Sequence, residues 1–359
     1  MEKPRILLIS ARSDLGGGPK YLLEYAKAIS AQIDIFIASP TDEPFGPVFQ
    51  NISKAHFELG HRSFNPATFF QLLFWLKKNK ITTVHSHGRG AGIYSRVLKP
   101  FGFKVIHSFH GVHQEPTISG KIKFWLDRLL APLTDHFIFA SQSELNSALN
   151  AGFKAIDQSP ILHPIVNAPP FEMKPRKYQN PIRFGSIARL DAAKGIDQLL
   201  IHLSFFKKHH PEINWTYTHA GFGDQVINIP ENIQAQVRFI GKIENPYLFL
   251  NEIDLYLACS RNEAFNISVL EALNARLPCL ISNVPGHEFF IEAGVATGFK
   301  QDDSGKFSEE LLKLTQSSDL PCKYDEFLEL MRHENQQGKY TSLILQLMSS
   351  GIDSNHKAI

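Results

Sequence analysis

Hydrophobic positions along this chain follow two alternating rhythms. Short, nearly continuous apolar runs, RILLIS (5–10), IDIFIA (33–38), TTVHS (82–86), KVIHSF (104–109) and HFIFAS (136–141), are separated by stretches of helical period near 19–31, 66–79, 89–99, 120–133 and 142–150. The pattern restarts with IRFGSIA (182–188), WTYTHAG (215–221), VRFIGK (237–242), DLYLAC (254–259) and PCLIS (278–282), again with helical stretches between. Short β-rich runs alternating with helices predict α/β architecture, with parallel sheets covered by helices on both faces. The proline- and charge-rich stretch around NAPPFEMKPRKYQNP predicts a linker. The chain is thus expected to divide into domain 1–166, linker 167–180, domain 181–323, and a helix and tail over 324–359 crossing between the two domains. Two doubly wound domains facing each other would take ligands at the strand carboxyl ends, in the cleft between them.

Length agrees with two domains, since 359 residues exceed one ordinary core. Three cysteines, Cys259, Cys279 and Cys322, without C-x-x-C spacing, argue against a disulfide framework and a structural zinc site. MEKPRILLIS runs into a strand without the apolar core of a signal peptide, and no apolar run is long enough to span a bilayer, so a cytoplasmic protein is expected. The net charge of +2 conceals an asymmetry: residues 1–168 carry 18 Lys+Arg against 12 Asp+Glu, and residues 169–359 carry 19 against 23. A basic half could approach an anionic surface or simply face an acidic partner domain. No nucleic-acid motif accompanies it, which leaves nucleic acid out. The terminal SSGIDSNHKAI reads as a disordered tail.

Candidate chemistry gathers where strands end. In RNEAFNISVLEALNARLPCLIS, Asn266 stands at an N-cap position. Glu263 then lies in the loop before a helix, and Glu271 about one turn inside it. Ordinary acidic residues on a surface helix would look the same. After the first strand, Gly16, Gly17 and Gly18 precede Pro19 at the expected first helical position, a loop whose amides could approach an oxyanion, or a plain tight turn. It is neither G-x-G-x-x-G nor a P-loop. Arg189 and Lys194 flank the corresponding loop of the second half, where two cations could bind a diphosphate or merely be solvated. THAGFGD supplies Gly221 and Gly223, another loop of close approach. His85, His87, His107, His110 and His113 crowd two strand ends. Alternation of faces is expected to keep His85 and His87 from converging, so no metal site is assigned; His107 reads as a hydrogen-bonded core residue and His110 as a cleft residue.

Taken together and in order, GGGPKYLLE, HSFHG, VNAPPF, IARLDAAKG, HAGFGD, VRFIGK and SRNEAFNISVLEALNARLPCLISNVPGHEF resemble the GT-B-fold glycosyltransferases of family 4 over most of residues 5–295. The resemblance implies two Rossmann-like domains and a retaining, metal-independent transferase using a nucleotide-sugar donor, UDP-linked rather than GDP-linked. It implies a glycan or lipid-linked glycan acceptor, in bacterial surface polysaccharide or lipopolysaccharide synthesis. By the same resemblance Glu271 takes the ribose and Glu263 the transferred sugar. Arg189 and Lys194, with the helix-start amides of Asn266, Ile267 and Ser268, take the diphosphate. His110 faces the donor sugar, and the loop with Gly17 and Gly18 closes over phosphates or acceptor. Two departures border this site: Ala264–Phe265–Asn266 stands where Gly-Phe-Gly is usual, and Ala188 replaces a glycine. A nucleotide-sugar epimerase of the same fold and a non-catalytic sugar-nucleotide-binding partner are the alternatives.

Two helical stretches raise membrane contact. In KIKFWLDRLLAPL (121–133) the apolar stripe Ile122, Trp125, Leu126, Leu129, Leu130 and Leu133 is expected to face the core, leaving Phe124 outside with Lys121 and Arg128. FFQLLFWLKKNK (69–80) has similar composition. Burial of both helices within the first domain is the alternative to peripheral contact with an anionic membrane.

Overall fold

The computed structural model describes residues 2–60, 64–112, 118–154, 156, 158–173, 178–316 and 323–350. His113, Cys322, residues 174–177 of the expected linker and the tail 351–359 lie outside the described residues. The chain separates into two units, residues 1–165 with 333–359, and residues 166–332.

The first unit runs β1 (Arg5–Ser10), α1 (Gly17–Ile29), β2 (Asp34–Ser39), α2 (Phe45–Ile52), β3 (His56–Glu58), α3 (Pro66–Lys78), β4 (Thr83–His87), α4 (Arg89–Leu98), β5 (Lys104–Ser108), α5 (Ile118–Leu130), β6 (His136–Ile138) and α6 (Gln142–Asn150). Its six strands are ordered β3-β2-β1-β4-β5-β6. The second unit runs β7 (Ile182–Ile187), α7 (Ile196–His209), β8 (Trp215–Ala220), β9 (Val237–Phe239), α8 (Pro246–Leu250), β10 (Leu255–Ala258), α9 (Ile267–Asn274), β11 (Cys279–Ser282), α10 (Glu288–Glu292), β12 (Thr297–Phe299), α11 (Ser304–Gln316) and α12 (Tyr324–Met331). Its strands are ordered β12-β11-β10-β7-β8-β9. Counted from each unit's own first strand, the two orders are identical, and every pairing is parallel. Each unit is therefore a Rossmann-like sheet whose strand order reverses beside its first strand, at the β1/β4 and β7/β10 junctions.

Central strands are buried on both faces, as the continuous apolar runs require; β4 is buried at all five positions. The strands β3 and β12, three residues each at sheet edges, are too short to carry a pattern and are missing from the sequence reading. Helix starts follow local chemistry. Asn65 accepts from the amides of Ala67 (2.8 Å) and Thr68 (3.3 Å) ahead of Pro66, and Ser141 accepts from Glu144 N. Helix α1 begins at Gly17, two residues before the proline expected to open it.

Instead of one helix over 324–348 there are two, α12 grouped with the second unit and α13 (His333–Ser349) with the first. Helix α13 lies on α1, where Thr341 donates to Ala28 O at 3.2 Å and the Tyr25 and Tyr340 rings are 5.8 Å apart. Lys104 Nζ donates to the terminal carbonyls of Leu347 and Met348, both at 3.1 Å, a cation where the helix dipole is negative.

Helix α5 is turned part-way from its expected orientation, with Leu126, Leu130 and Leu133 half-buried. Phe124 is buried in the cluster of Phe109, Phe137, Phe139 and Phe153, whereas Ile122, Trp125 and Leu129 are 60%, 62% and 56% exposed. The cause is Asp127, which turns inward to pair with the fully buried Arg96 of α4, itself donating to Thr134 Oγ1 at 3.0 Å. An unpaired buried guanidinium is costly enough to decide which face of a neighbouring helix turns inward. Phe124, one turn earlier, follows Asp127 into the core.

Candidate active site

In the second unit the loop after β10 carries Glu263, 9% exposed. Its Oε1 accepts from Lys194 Nζ at 2.6 Å, Ser260 Oγ at 2.7 Å and Asn266 Nδ2 at 3.1 Å. Burial alone would raise this carboxyl's pKa, but Lys194, His287 and the hydrogen bonds bring it below the ordinary value, so Glu263 is an anion at neutral pH. Asn266 serves twice: Oδ1 caps Val269 N at 3.3 Å, and Nδ2 donates both to Glu263 and to His287 Nε2 at 2.9 Å. His287 donates from Nδ1 to Ser282 O at 2.8 Å, which leaves Nε2 an acceptor, and burial lowers its pKa. Gly286 fits because a Cβ there would stand 2.6 Å from Glu263 O.

Glu271, 3% exposed, lies in α9 beyond the half-buried Ile267 and Ser268 of its first turn. Arg189 is exposed and paired with Asp191 at 2.9 Å, while Asp191 Oδ1 accepts from Ala193 N. Lys194 and Glu263, assigned separately to diphosphate and sugar, are thus direct partners. The glycines have a different immediate use from that expected. A Cβ on Gly221 would meet Ala188 O at 1.7 Å, and one on Gly223 would meet Leu190 O at 2.2 Å. The close approach they permit is to the loop after β7, held by Leu190 N donating to Phe222 O at 2.9 Å. Ser260, His287 and Arg261 were missed from sequence. Arg261 grips Asp197 with both nitrogens (2.9 and 2.7 Å) and its amide donates to Ala193 O at 2.7 Å, tying the loop of Lys194 to that of Glu263. The distance in sequence hid these ties, although a histidine in SNVPGHE was on view.

In the first unit the ends of β4 and β5 carry rings, while the loop after β1 pairs Arg12 with Asp14 at 2.7 Å. His85 and His87, two residues apart on one strand, share a face after all, with ring centroids 4.2 Å apart; the expected divergence misapplied the period of two. His87 Nδ1 and His110 Nε2 share a hydrogen bond of 3.0 Å, His85 Nδ1 meets Tyr25 OH at 2.8 Å, and Tyr21 stands edge-on to His110 at 4.7 Å. His107 points to the other face and bonds Ser86 Oγ at 2.8 Å. Burial pushes His85 to about 3 and His110 to about 4, so both are neutral. Among the described residues no three His, Cys, Asp or Glu side chains are grouped to hold a metal ion.

His110 has φ +57°, unusual for a residue with a side chain. Glu144, absent from the sequence reading, clamps this turn: its carboxylate accepts from Gly111 N at 2.5 Å and Ala140 N at 2.7 Å. Burial pushes its pKa up to about 7 against those two amides. Gly17 is exposed, and a Cβ on Gly18 would meet nothing within 4 Å, so this helix start is open.

Two family models match in tandem, Glycosyltransferase Family 4 over residues 15–168 and Glycosyl transferases group 1 over residues 169–327. The O-antigen biosynthesis glycosyltransferase WbnH of Escherichia coli is 25% identical over 307 residues, covering 83% of this chain and 87% of its own. Among solved structures, HepE of Anabaena in complex with UDP and glucose superposes with TM-score 0.76 at 14% identity, over 96% of this chain and 99% of that one. Sucrose-phosphate synthase of Thermosynechococcus elongatus gives TM-score 0.76 at 16% identity, over 97% and 100%. With both halves matched in the family's order and each sheet wound in the same way, the chain belongs to the GT-B glycosyltransferases of family 4.

Proposed function

We propose that this glycosyltransferase is a retaining, metal-independent enzyme. It moves a sugar from a UDP-sugar to a glycan acceptor, in the cytoplasm, during bacterial surface polysaccharide or lipopolysaccharide synthesis. The observation that carries the reading is the Lys194–Glu263–Asn266 network at the start of α9. Lys194 spends one of its three N–H bonds on Glu263 and keeps two for a phosphate. Among the described residues Arg189 is held only by an exposed ion pair, worth little, and can exchange Asp191 for the diphosphate. The amides of Ile267 and Ser268 add the partial positive charge of the helix start.

These groups stabilise the leaving diphosphate where its charge develops, the part a metal ion plays elsewhere. Glu263, ionised and held by three donors, accepts from sugar hydroxyls and favours the positive charge that grows on the sugar ring. Glu271 takes the ribose, and in the first unit neutral His110 can accept or donate one hydrogen bond to a saccharide hydroxyl. The relationship to WbnH supports a saccharide acceptor, and the HepE complex supports UDP.

Incubation with UDP- and GDP-linked sugars, with product anomers assigned by NMR, tests the reading. Turnover of a UDP-sugar with retained configuration, undiminished by EDTA, is expected. Loss of activity on chelation, restored by Mg²⁺ or Mn²⁺, overturns the metal-independent mechanism. Acceptor-free conversion of UDP-GlcNAc to UDP-ManNAc would favour the epimerase.

A further inference from the structure

Glu263 is held from two sides by arms that start at one residue, Ser282, the last of β11. On one side Ser282 Oγ donates to Ser260 O at 2.7 Å, and Ser260 Oγ donates to Glu263 Oε1, also at 2.7 Å. On the other, Ser282 O accepts from His287 Nδ1 at 2.8 Å and His287 Nε2 accepts from Asn266 Nδ2 at 2.9 Å. Asn266 Nδ2 closes the ring by donating to Glu263 Oε1 at 3.1 Å. Ser260, Glu263, Asn266, Ser282 and His287 are all buried. Each atom of the second arm has a forced role. Ser282 O has no proton to give, so His287 Nδ1 must donate, and a neutral ring then accepts only at Nε2. That nitrogen requires the amide NH2 of Asn266, while Val269 N requires its Oδ1, so the amide has one orientation. A glycine at position 266 could make none of these bonds, so the departure from Gly-Phe-Gly brings the arm with it. Lys194, Ser260 and Asn266 all donate to Oε1. No donor among the described residues meets Oε2, and the Glu263 side chain keeps 8% of its surface exposed.

We propose that His287, acting through Asn266, is a positioning residue for the transfer reaction, locking Oε1 of Glu263 into the protein and turning Oε2 to the donor sugar. The inference rests on the reading that Glu263 faces the sugar, and adds which oxygen does so and what aims it. The last torsion of a glutamate is broad and two-fold, so an untethered carboxylate would exchange its oxygens readily. Three donors on one oxygen prevent that exchange. The other oxygen then stands ready for sugar hydroxyls and for the positive charge that grows on the ring, with no reorientation during the reaction. His287 is fully buried and cannot itself touch the donor. Its effect passes through Asn266, and the atom that matters is the acceptor at Nε2 rather than the ring.

Steady-state kinetics with the UDP-sugar that the parent turns over, beside calorimetric titration of UDP, tests it. His287→Leu removes the acceptor and should lower kcat about tenfold or more, with UDP affinity and donor KM within about twofold of the parent. His287→Gln can set an amide oxygen near the place of Nε2 and should recover kcat to within about threefold of the parent. Asn266→Ser keeps an oxygen to cap the helix but loses both amide bonds, so it carries the test should His287→Leu not fold. Its kcat should also fall about tenfold or more. Adding His287→Leu to Asn266→Ser should lower kcat by no more than about twofold further, because one residue acts through the other. Parent-like kcat in both His287→Leu and Asn266→Ser, with Glu263→Gln strongly impaired, overturns this inference and leaves the sugar role of Glu263 standing. Parent-like kcat in Glu263→Gln overturns the sugar role itself. Multiplying losses in the double variant, a Gln variant as impaired as the Leu variant, or a parallel loss of UDP affinity would each reduce His287 to a structural residue of its loop and overturn the proposal.

Discussion

The two units share one strand order, yet the loops after β7 and β10 in one and the ends of β4 and β5 in the other differ in chemistry. In the second unit the loops after β7 and β10 are joined by ion pairs, Lys194 to Glu263 and Arg261 to Asp197. In the first, the ends of β4 and β5 gather His85, His87 and His110 with Tyr21 and Tyr25, rings that burial keeps uncharged. Identical topology therefore fixes where a site can form, and the side chains decide what it can do. A charged cradle suits a diphosphate and its sugar, whereas a neutral, ring-lined surface suits hydroxyl groups and demands little counter-charge. The difference also appears in how each loop is held. Glu263 is positioned by side chains, while Glu144 positions the turn of His110 through backbone amides.

The sharpest way to break the comparison is to neutralise the charged cradle. Glu263→Gln keeps the shape and the acceptor oxygen but loses the anion, so kcat should fall about 100-fold or more while UDP affinity stays nearly unchanged. Calorimetry beside steady-state kinetics separates the two quantities, and parallel loss of both would move Glu263 out of the sugar role. Glu271→Ala, in the same helix, should do the reverse. It should weaken binding of free nucleoside diphosphate by about 1.5–3 kcal/mol, with kcat falling less than in Glu263→Gln.

In the neutral cluster the corresponding probe is pH. Glu144 has a folded pKa of about 7, above its ordinary 4.5. Its contribution to stability is therefore fully present below 4.5 and is lost as pH rises through 7. The parent-minus-Glu144→Gln difference in stability of the first unit, read by hydrogen exchange of its sheet, should decrease by about 3 kcal/mol from pH 4.5 to pH 8. A difference constant with pH would show that this carboxyl is not held as described. The smallest effect is expected at Asp191. Asp191→Asn frees Arg189 from an exposed pair, so stability should change by less than about 1 kcal/mol, and UDP affinity should rise slightly or stay level. A marked loss of nucleotide affinity would mean that Asp191 orients Arg189 rather than competing for it.

How much of this was legible in the sequence varies by element. The central strands were placed within a residue or two because burial on both faces writes a continuous apolar run, as in RILLIS and CLIS. The loop-to-helix transition at Asn266 was legible because capping is local chemistry. The three-residue strands at His56–Glu58 and Thr297–Phe299 were not, because their pairing is decided by a neighbouring strand. Residues 324–349 carry helical pattern throughout, so the break at Arg332, where the chain passes from one unit to the other, left no mark.

By itself, then, the sequence determined the alternation of strands and helices, the doubling of the pattern, the positions of Glu263, Arg189, Lys194 and His110 in loops after strands and that of Glu271 inside a helix, since all of these follow from period and local spacing. Tertiary structure alone decided which groups touch. It placed Lys194 on Glu263 across 69 residues and used Gly221 and Gly223 to admit a neighbouring loop. It gave Glu144 the turn at His110, and turned α5 so that Ile122, Trp125 and Leu129 face outward. The physical reason is the same in the last case as in the first. Buried charges must find partners, and Asp127, paired with Arg96, oriented the helix against its own hydrophobic period.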